Sequence, residues 1–143
     1  MSNDKILLYK NALWNCNTTL KFDDASYGSG GGSFVSDTGY EVQAVALDGI
    51  LKDRLISFIK MDIEGAERKA LEGGREIIAS QIPILAICVY HLQEDMFDIP
   101  LLIESFAPGQ YSYFIRQYRF GLSETVLYAV PVEGGAGESL GLV

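Results

Sequence analysis

The stretch FIKMDIEGAERKALEGG, residues 58–74, decides the predicted fold of this chain. Its apolar beginning belongs to a buried strand predicted over residues 55–63, and a helical pattern follows at once over residues 64–80. The two glycines that end the stretch predict a bend or break in the helix, because an interior glycine costs about 1 kcal/mol relative to alanine. The strand ends in two acids, Asp62 and Glu64, and their position requires an explanation.

The pattern on either side predicts an α/β fold. After the helix come a second buried strand at 83–90, a short helix at 99–106 with Pro100 in its first turn, and strands at 111–118 and 125–131. Before the quoted stretch come a helix at 4–16, a strand at 18–22, a loop at 25–33 and a mostly extended segment at 40–48. Alternating strands and helices require right-handed crossovers, and hence a mainly parallel sheet covered on both faces. The short link between the last two strands favours an antiparallel hairpin. We predict one domain over residues 1–131 and a loose tail over 132–143.

The composition argues against several classes of protein. The chain of 143 residues has a net charge of −8, whereas binding to nucleic acid requires clustered lysine and arginine. No apolar run approaches the ~20 residues of a membrane span, and the N-terminus does not have the pattern of a signal peptide. Cys16 and Cys88 lack a CxxC or histidine companion, which favours a reducing, cytoplasmic setting.

Polar side chains follow both buried strands of the predicted parallel pair. Asp62 and Glu64 follow the first strand, and His91 follows the second in CVYHLQ. In open α/β sheets, ligands bind beyond the carboxyl ends of the strands. If the strands are neighbours, the two carboxylates and the imidazole face one crevice and supply candidate bases for proton transfer.

Two other interpretations of these residues stay open. Acids at the start of a helix are favoured by its dipole by ~0.3–1 kcal/mol, so helix stabilisation alone could explain one of them. A metal site that uses His91 with both acids is conceivable. Because the chain has no second histidine, zinc is improbable, and we assign no metal site from the sequence.

The sequence around the acidic pair resembles a known family. ALDGIL, followed by ISFIKMDIEGAERKALEGG, is similar to the central signature of the FkbM-type methyltransferases. LYKNALWNCN and ETVLYAVP are similar to flanking parts of that family, so the resemblance covers about residues 7–131. It implies a Rossmann-like fold that binds S-adenosylmethionine and transfers its methyl group to an oxygen of a small molecule or sugar.

The resemblance also implies roles for individual residues. Asp62 and Glu64 would lie near the sulfonium, and His91 would face the acceptor. Asp24 and Ala25 would lie near the adenine. The remaining residues of the signature, Lys60, Gly65 and Glu67, are assigned structural roles, with Gly65 permitting a close approach of the backbone.

The N-terminal part of the chain departs from the family pattern. The first strand, its glycine-rich turn and the second strand of that fold have no counterpart, so we expect an incomplete Rossmann-like fold and weak or absent cofactor binding by this chain alone. Strand 55–63 would then present an apolar edge. A second copy, a separate chain, or strand 18–22 or 40–46 could cover that edge. The alternative to a truncated methyltransferase is a non-catalytic interaction module that self-associates or completes a partner chain through this edge.

Overall fold

The computed structural model describes residues 6–24, 33–119 and 124–132. The elements in these ranges, in chain order, are β1 (Ala12–Leu13), β2 (Thr18–Asp24), β3 (Ser33–Ser36), β4 (Tyr40–Val45), α1 (Leu47–Leu51), β5 (Phe58–Met61), α2 (Glu67–Glu72), α3 (Arg75–Gln81), β6 (Ile84–Cys88), α4 (Asp95–Phe106), β7 (Tyr111–Gln117) and β8 (Thr125–Pro131). The prediction of an α/β fold is confirmed. The predicted loop at 25–33 and the predicted tail fall mostly outside the described residues.

The strands form two four-stranded sheets rather than one. The first sheet has the order β1-β4-β2-β3, with β1 parallel to β4 and β2 antiparallel to both of its neighbours. The second has the order β5-β6-β8-β7, with β5 parallel to β6 and β8 antiparallel to both of its neighbours. The prediction of a mainly parallel arrangement is therefore wrong. Each sheet holds one parallel pair, and its other two pairs are antiparallel.

The core lies on one face of the second sheet, where the helices pack. The fully buried side chains there alternate along the strands and recur on the helices; among them are Met61, Leu71, Ile78, Leu85, Ile87, Ile99, Ile103 and Leu127. The opposite face carries Phe58, Ile84 and Phe114, which are 52%, 37% and 56% exposed. The sheet is thus covered on one face in the described residues, not on both as predicted.

The strand predicted over residues 55–63 is shorter and less buried than expected. Only residues 58–61 form β5, and Leu55 is 98% exposed. Within the described residues β5 pairs with β6 alone, so its other edge has no partner strand. The strands predicted at 18–22 and 40–46 belong to the first sheet and do not cover this edge.

The two glycines after α2 break the helix as predicted. Gly73 ends α2, and α3 begins two residues later at Arg75. Asp48 caps the start of α3, because its carboxylate oxygens accept the backbone N–H groups of Glu76 at 2.9 Å and Ile77 at 3.0 Å. Asp48 belongs to the ALDGIL part of the family-like signature, so that part of the signature caps a helix that lies more than twenty residues later in the chain.

Two helix predictions are wrong. The described part of residues 4–16 contains no helix, and β1 lies there instead, where Ala12 and Leu13 pair with β4. The helix predicted to begin at residue 99 begins at Asp95, so Pro100 lies inside α4 rather than in its first turn. An interior proline deprives the helix of one backbone hydrogen bond. The segment predicted as extended at 40–48 turns into α1 at Leu47.

Candidate functional site

The acidic pair and the histidine lie side by side at the carboxyl ends of β5 and β6. The parallel register pairs Met61 with Ile87, so both strands end at the same edge of the sheet. The segment after β5 turns through Glu64 and Gly65, with φ of 56° and 91°, before α2 begins. The structure therefore brings the two carboxylates and the imidazole together at this edge.

An imidazole surrounded by carboxylates forms the centre of the site. His91 Nε2 lies 3.5 Å from Asp62 Oδ1 and 3.5 Å from Glu64 Oε2. His91 Nδ1 lies 3.0 Å from Glu67 Oε1. The side chain of His91 is 10% exposed and that of Glu67 is fully buried, whereas Asp62 and Glu64 are 41% and 47% exposed. Asp62 and Glu64 can thus contact a ligand from solvent, whereas Glu67 is buried against the imidazole.

Glu67 is the residue of the site that sequence reasoning missed. Its carboxylate accepts the backbone N–H of Ile63 at 2.9 Å, which stabilises the turn and fits the structural role assigned to it. It also contacts His91, which was not predicted. The available signal was its spacing, because a residue three positions after Glu64 at the start of a helix returns to the same side of the chain.

Gly65 has a different role from the one predicted. A Cβ added there would lie 3.6 to 3.8 Å from atoms of Leu92 and His91, which is ordinary van der Waals contact. Space is therefore not the constraint. The positive φ of 91° is the constraint, because side-chain-bearing residues rarely adopt it.

Tyr90 orients Asp62 within the site. Its hydroxyl donates to Asp62 Oδ1 at 3.1 Å, while Lys60 Nζ lies 3.9 Å from Asp62 Oδ2. Burial, together with the hydrogen bond to Asp62 and the charge of that carboxylate, raises the pKa of Tyr90 to about 12. Tyr90 is therefore a hydrogen-bond donor throughout the neutral range.

Two cavities adjoin the site. One, of about 540 Å³, lies between the first sheet and the segment that follows β5. It is lined by the segment from Tyr9 to Leu13, which includes the polar Lys10 and Asn11, by Phe22 and Tyr40, and by Glu64. The other, of about 270 Å³, is lined by Asp62, Tyr90 and further residues of the second sheet. Asp62, Glu64 and Glu67 form a cluster with His91. Because Glu64 lines the first cavity and Asp62 lines the second, the cluster lies between a mainly apolar cavity and a cavity that contains tyrosine hydroxyls.

The residues predicted to bind the cofactor are only partly brought together. Asp62 belongs to the cluster. Asp24 is the last residue of β2, in the other sheet, and Ala25 lies outside the described residues. Phe22, two residues before Asp24, lines the larger cavity together with Glu64, which connects β2 with the cluster.

The family model of the methyltransferase FkbM domain matches residues 2–120. The chain belongs to the FkbM methyltransferase family. The crystal structure of methyltransferase FkbM from Methylobacillus flagellatus KT is similar to this FkbM-family chain, with a TM-score of 0.72 and 28% sequence identity. The match covers 90% of this chain and 30% of that protein. No curated protein shows significant similarity to the chain.

The family explains why the KMDIEGAE block carries so much of the site. Asp62, Glu64 and Glu67 all come from that block, and each lies within 3.5 Å of His91. The match of the family model to residues 2–120 confirms the family prediction made from this block. None of the helices in the described part of this FkbM-family chain is long and apolar enough to cross a membrane.

Proposed function

We propose that this FkbM-family chain carries the catalytic residues of an S-adenosylmethionine-dependent methyltransferase that acts on a hydroxyl group of a small molecule or sugar. One observation carries the proposal: Asp62, Glu64 and His91 converge at the ends of two neighbouring parallel strands, between two cavities. Ligands of open α/β sheets bind at this position. The two free cysteines, Cys16 and Cys88, fit a reducing, cytoplasmic setting for the reaction.

The larger cavity suits the cofactor. Its volume of about 540 Å³ falls within the range of small-molecule sites, and most of its lining is apolar. The rings of Phe22 and Tyr40 lie 6.5 Å apart at its wall and offer a surface for an adenine. S-adenosylmethionine, when bound, supplies an activated methyl group on a positively charged sulfonium. Glu64 lines the same cavity and supplies the negative charge that a sulfonium favours.

The smaller cavity suits the acceptor. Asp62 and Tyr90 line it, and the hydroxyls of Tyr118 and Tyr128, 2.7 Å apart, add polar groups that could contact a hydroxylated compound. Asp62 is placed to take the proton of the acceptor hydroxyl, and His91 Nε2, 3.5 Å from Asp62, is placed to stabilise the change in charge. Most of the rate would come from alignment of donor and acceptor on the two sides of the cluster.

Saturation-transfer NMR on the purified chain tests the cofactor site, because the method detects weak ligands. S-adenosylmethionine and S-adenosylhomocysteine form a matched pair that differs in the sulfonium charge. Phe22→Ala should weaken both ligands. Glu64→Gln should weaken the charged ligand by roughly two- to fivefold and the neutral one little, as expected for an exposed ion pair. Glu76→Gln, which removes an exposed acid elsewhere, is the control.

Methyl transfer is tested by measuring S-adenosylhomocysteine released in the presence of sugars and other small hydroxyl compounds. Release that depends on an acceptor and is reduced in Asp62→Asn supports the proposal. No saturation transfer to either ligand, or transfer that Phe22→Ala and Glu64→Gln leave unchanged, would contradict it.

The edge of β5 that has no partner strand in the described ranges favours a second candidate function, that of an interaction module. Unpaired backbone groups of an edge strand can pair with another chain. Phe58 is 52% exposed on this strand, and Leu55 before it is 98% exposed. A second copy of the chain that adds its own β5 would cover both the backbone groups and these side chains.

Sedimentation analysis of the purified chain decides this candidate. If β5 mediates self-association, Phe58→Lys should dissociate the assembly into monomers. Phe97→Lys, at a residue 69% exposed on α4, should leave it intact. A wild-type chain that is monomeric over the accessible concentration range would exclude self-association through β5.

A further inference from the structure

Asp62, Glu67 and His91 form a set of donor atoms with the spacing of metal ligands. One ligand atom from each lies within 4.8 Å of the others. The measured pairs are 3.5 Å between Asp62 Oδ1 and His91 Nε2, and 3.0 Å between Glu67 Oε1 and His91 Nδ1. Because one ion binds only one of the two ring nitrogens, the set consists of one nitrogen of His91 and one oxygen each from Asp62 and Glu67, all within 4.8 Å of one another. Ligands of a six-coordinate cation with bonds of ~2.1 Å stand about 3 to 4 Å apart, so a modest closing of the set would hold an ion.

Three buried atoms of this set lack hydrogen bonds. Glu67 Oε2 and both ring nitrogens of His91 are buried and have no hydrogen-bond partner among the described residues. Although His91 Nδ1 lies 3.0 Å from Glu67 Oε1, the geometry of that contact is not that of a hydrogen bond. Buried polar atoms are nearly always paired, so these unpaired atoms point to a partner such as a water molecule or an ion.

The charge of the cluster is also unbalanced. Three carboxylates surround His91, and even a doubly protonated imidazole would balance only one of them. Lys60 is 63% exposed and lies 3.9 Å from Asp62. Arg68, next to Glu67 in sequence, is engaged by acids of α4, with its Nη1 2.6 Å from Asp98 Oδ2. A buried carboxylate such as Glu67 needs a cation close by.

We propose that Asp62, Glu67 and His91 bind one divalent metal ion of the Mn²⁺ type. Carboxylates suit Mg²⁺ and Mn²⁺, and imidazole suits transition metals, so Mn²⁺ matches the mixed set. The set shares Asp62 and His91 with the groups proposed to act on the acceptor, whereas Glu64, proposed to face the cofactor, is not part of it. An ion there would place positive charge beside the smaller cavity, which Asp62 lines. The ion would balance the excess negative charge of the three carboxylates around His91.

Electron paramagnetic resonance of Mn²⁺ titrated into the purified chain tests the site. The measurement uses neither S-adenosylmethionine nor an acceptor, so its outcome is separate from that of the proposed methyl transfer. The wild-type chain should remove one equivalent of Mn²⁺ from the free signal. Glu67→Gln keeps an oxygen for the N–H of Ile63 but loses the charge, and Asp62→Asn changes a half-exposed position.

Each of these two substitutions should weaken Mn²⁺ binding at least tenfold, whereas Glu76→Gln should leave it unchanged. Circular dichroism verifies that the variants are folded, and Asp62→Asn decides the test if Glu67→Gln does not fold. Failure of the wild-type chain to bind Mn²⁺ at millimolar concentration, or equal binding by Asp62→Asn and Glu76→Gln, would overturn the proposal.

Discussion

Gly73→Ala tests how the first sheet is attached to the helical layer. Gly73 ends α2 with φ −75° and ψ −9°, a conformation that alanine adopts readily. A Cβ added there would overlap the carbonyl oxygen of Trp14 and lie 3.1 Å from the carbonyl carbon and 3.2 Å from the Cα of Asn15. The glycine is therefore required by a close approach of two backbone segments and not by its own conformation.

The size of the effect follows from two opposing terms. Helix propensity favours alanine by about 1 kcal/mol, and inserting a methyl group into a tight contact costs about 1–3 kcal/mol. The atoms that would have to move are backbone, and the N–H of Trp14 donates to Val45 at 3.0 Å, so relaxation loosens the join between β1 and β4. We expect a net loss of up to about 2 kcal/mol in the free energy of unfolding, or up to roughly 10 °C in Tm.

Urea denaturation followed by circular dichroism measures this loss. Gly49→Ala is the matched control, because it makes the same change inside α1 where nothing lies within 4 Å of the new Cβ. It should leave the free energy of unfolding unchanged or raise it by up to ~1 kcal/mol. If Gly73→Ala were as stable as Gly49→Ala, the inferred contact between Trp14 and α2 would be refuted.

Three further predictions concern the helix cap, a thiol and a phenol. Asp48→Ala should lower the free energy of unfolding by about 1–2 kcal/mol because α3 loses its cap, whereas Asp53→Ala in the exposed turn after α1 should change it little; urea denaturation compares them. Burial and the charge of Asp62 raise the pKa of Cys88 to about 12, so a thiol reagent at pH 8 should label the exposed Cys16 alone, and equal labelling detected by mass spectrometry would contradict this. Burial and Asp62 raise the pKa of Tyr90 from 10.0 to about 12. The stability that the protonated phenol contributes is therefore complete below pH 10.0 and is lost as the pH rises towards 12. Unfolding measured across this pH range should show a smaller loss of stability in Tyr90→Phe than in the wild-type chain.

The part of the fold that follows residue 55 could be predicted from local pattern. Two apolar runs of strand length, each followed by a helical pattern, predict parallel neighbours. The structure pairs β5 with β6 in parallel, and the proximity of Asp62 and Glu64 to His91 follows directly from that pairing. The final hairpin was predictable for the same reason, because its short link leaves an antiparallel pair as the simplest connection.

The part before residue 20 could not be predicted in this way. The spacing of Ile6, Tyr9 and Leu13 fits one face of a helix. In the structure Ile6 is 82% exposed, and Leu13 lies in β1 paired with Val45. The conformation of residues 12 and 13 depends on their pairing with a strand more than thirty residues later in the chain. A local sequence pattern cannot predict such a distant partner. Tertiary context overrides a weak local preference here.

The acids of the KMDIEGAE block show where sequence reasoning reaches its limit within the site. Spacing along the chain placed Asp62 and Glu64 near one another and left Glu67 out, and it could not rank the three acids by burial. The structure does so, because Glu67 is fully buried whereas Asp62 and Glu64 are 41% and 47% exposed. An exposed carboxylate can meet a cofactor or an acceptor, while a buried one must be balanced inside the protein. Removing the charge of Glu64 should therefore alter binding of a cationic ligand, whereas removing that of Glu67 should alter the metal affinity of the cluster.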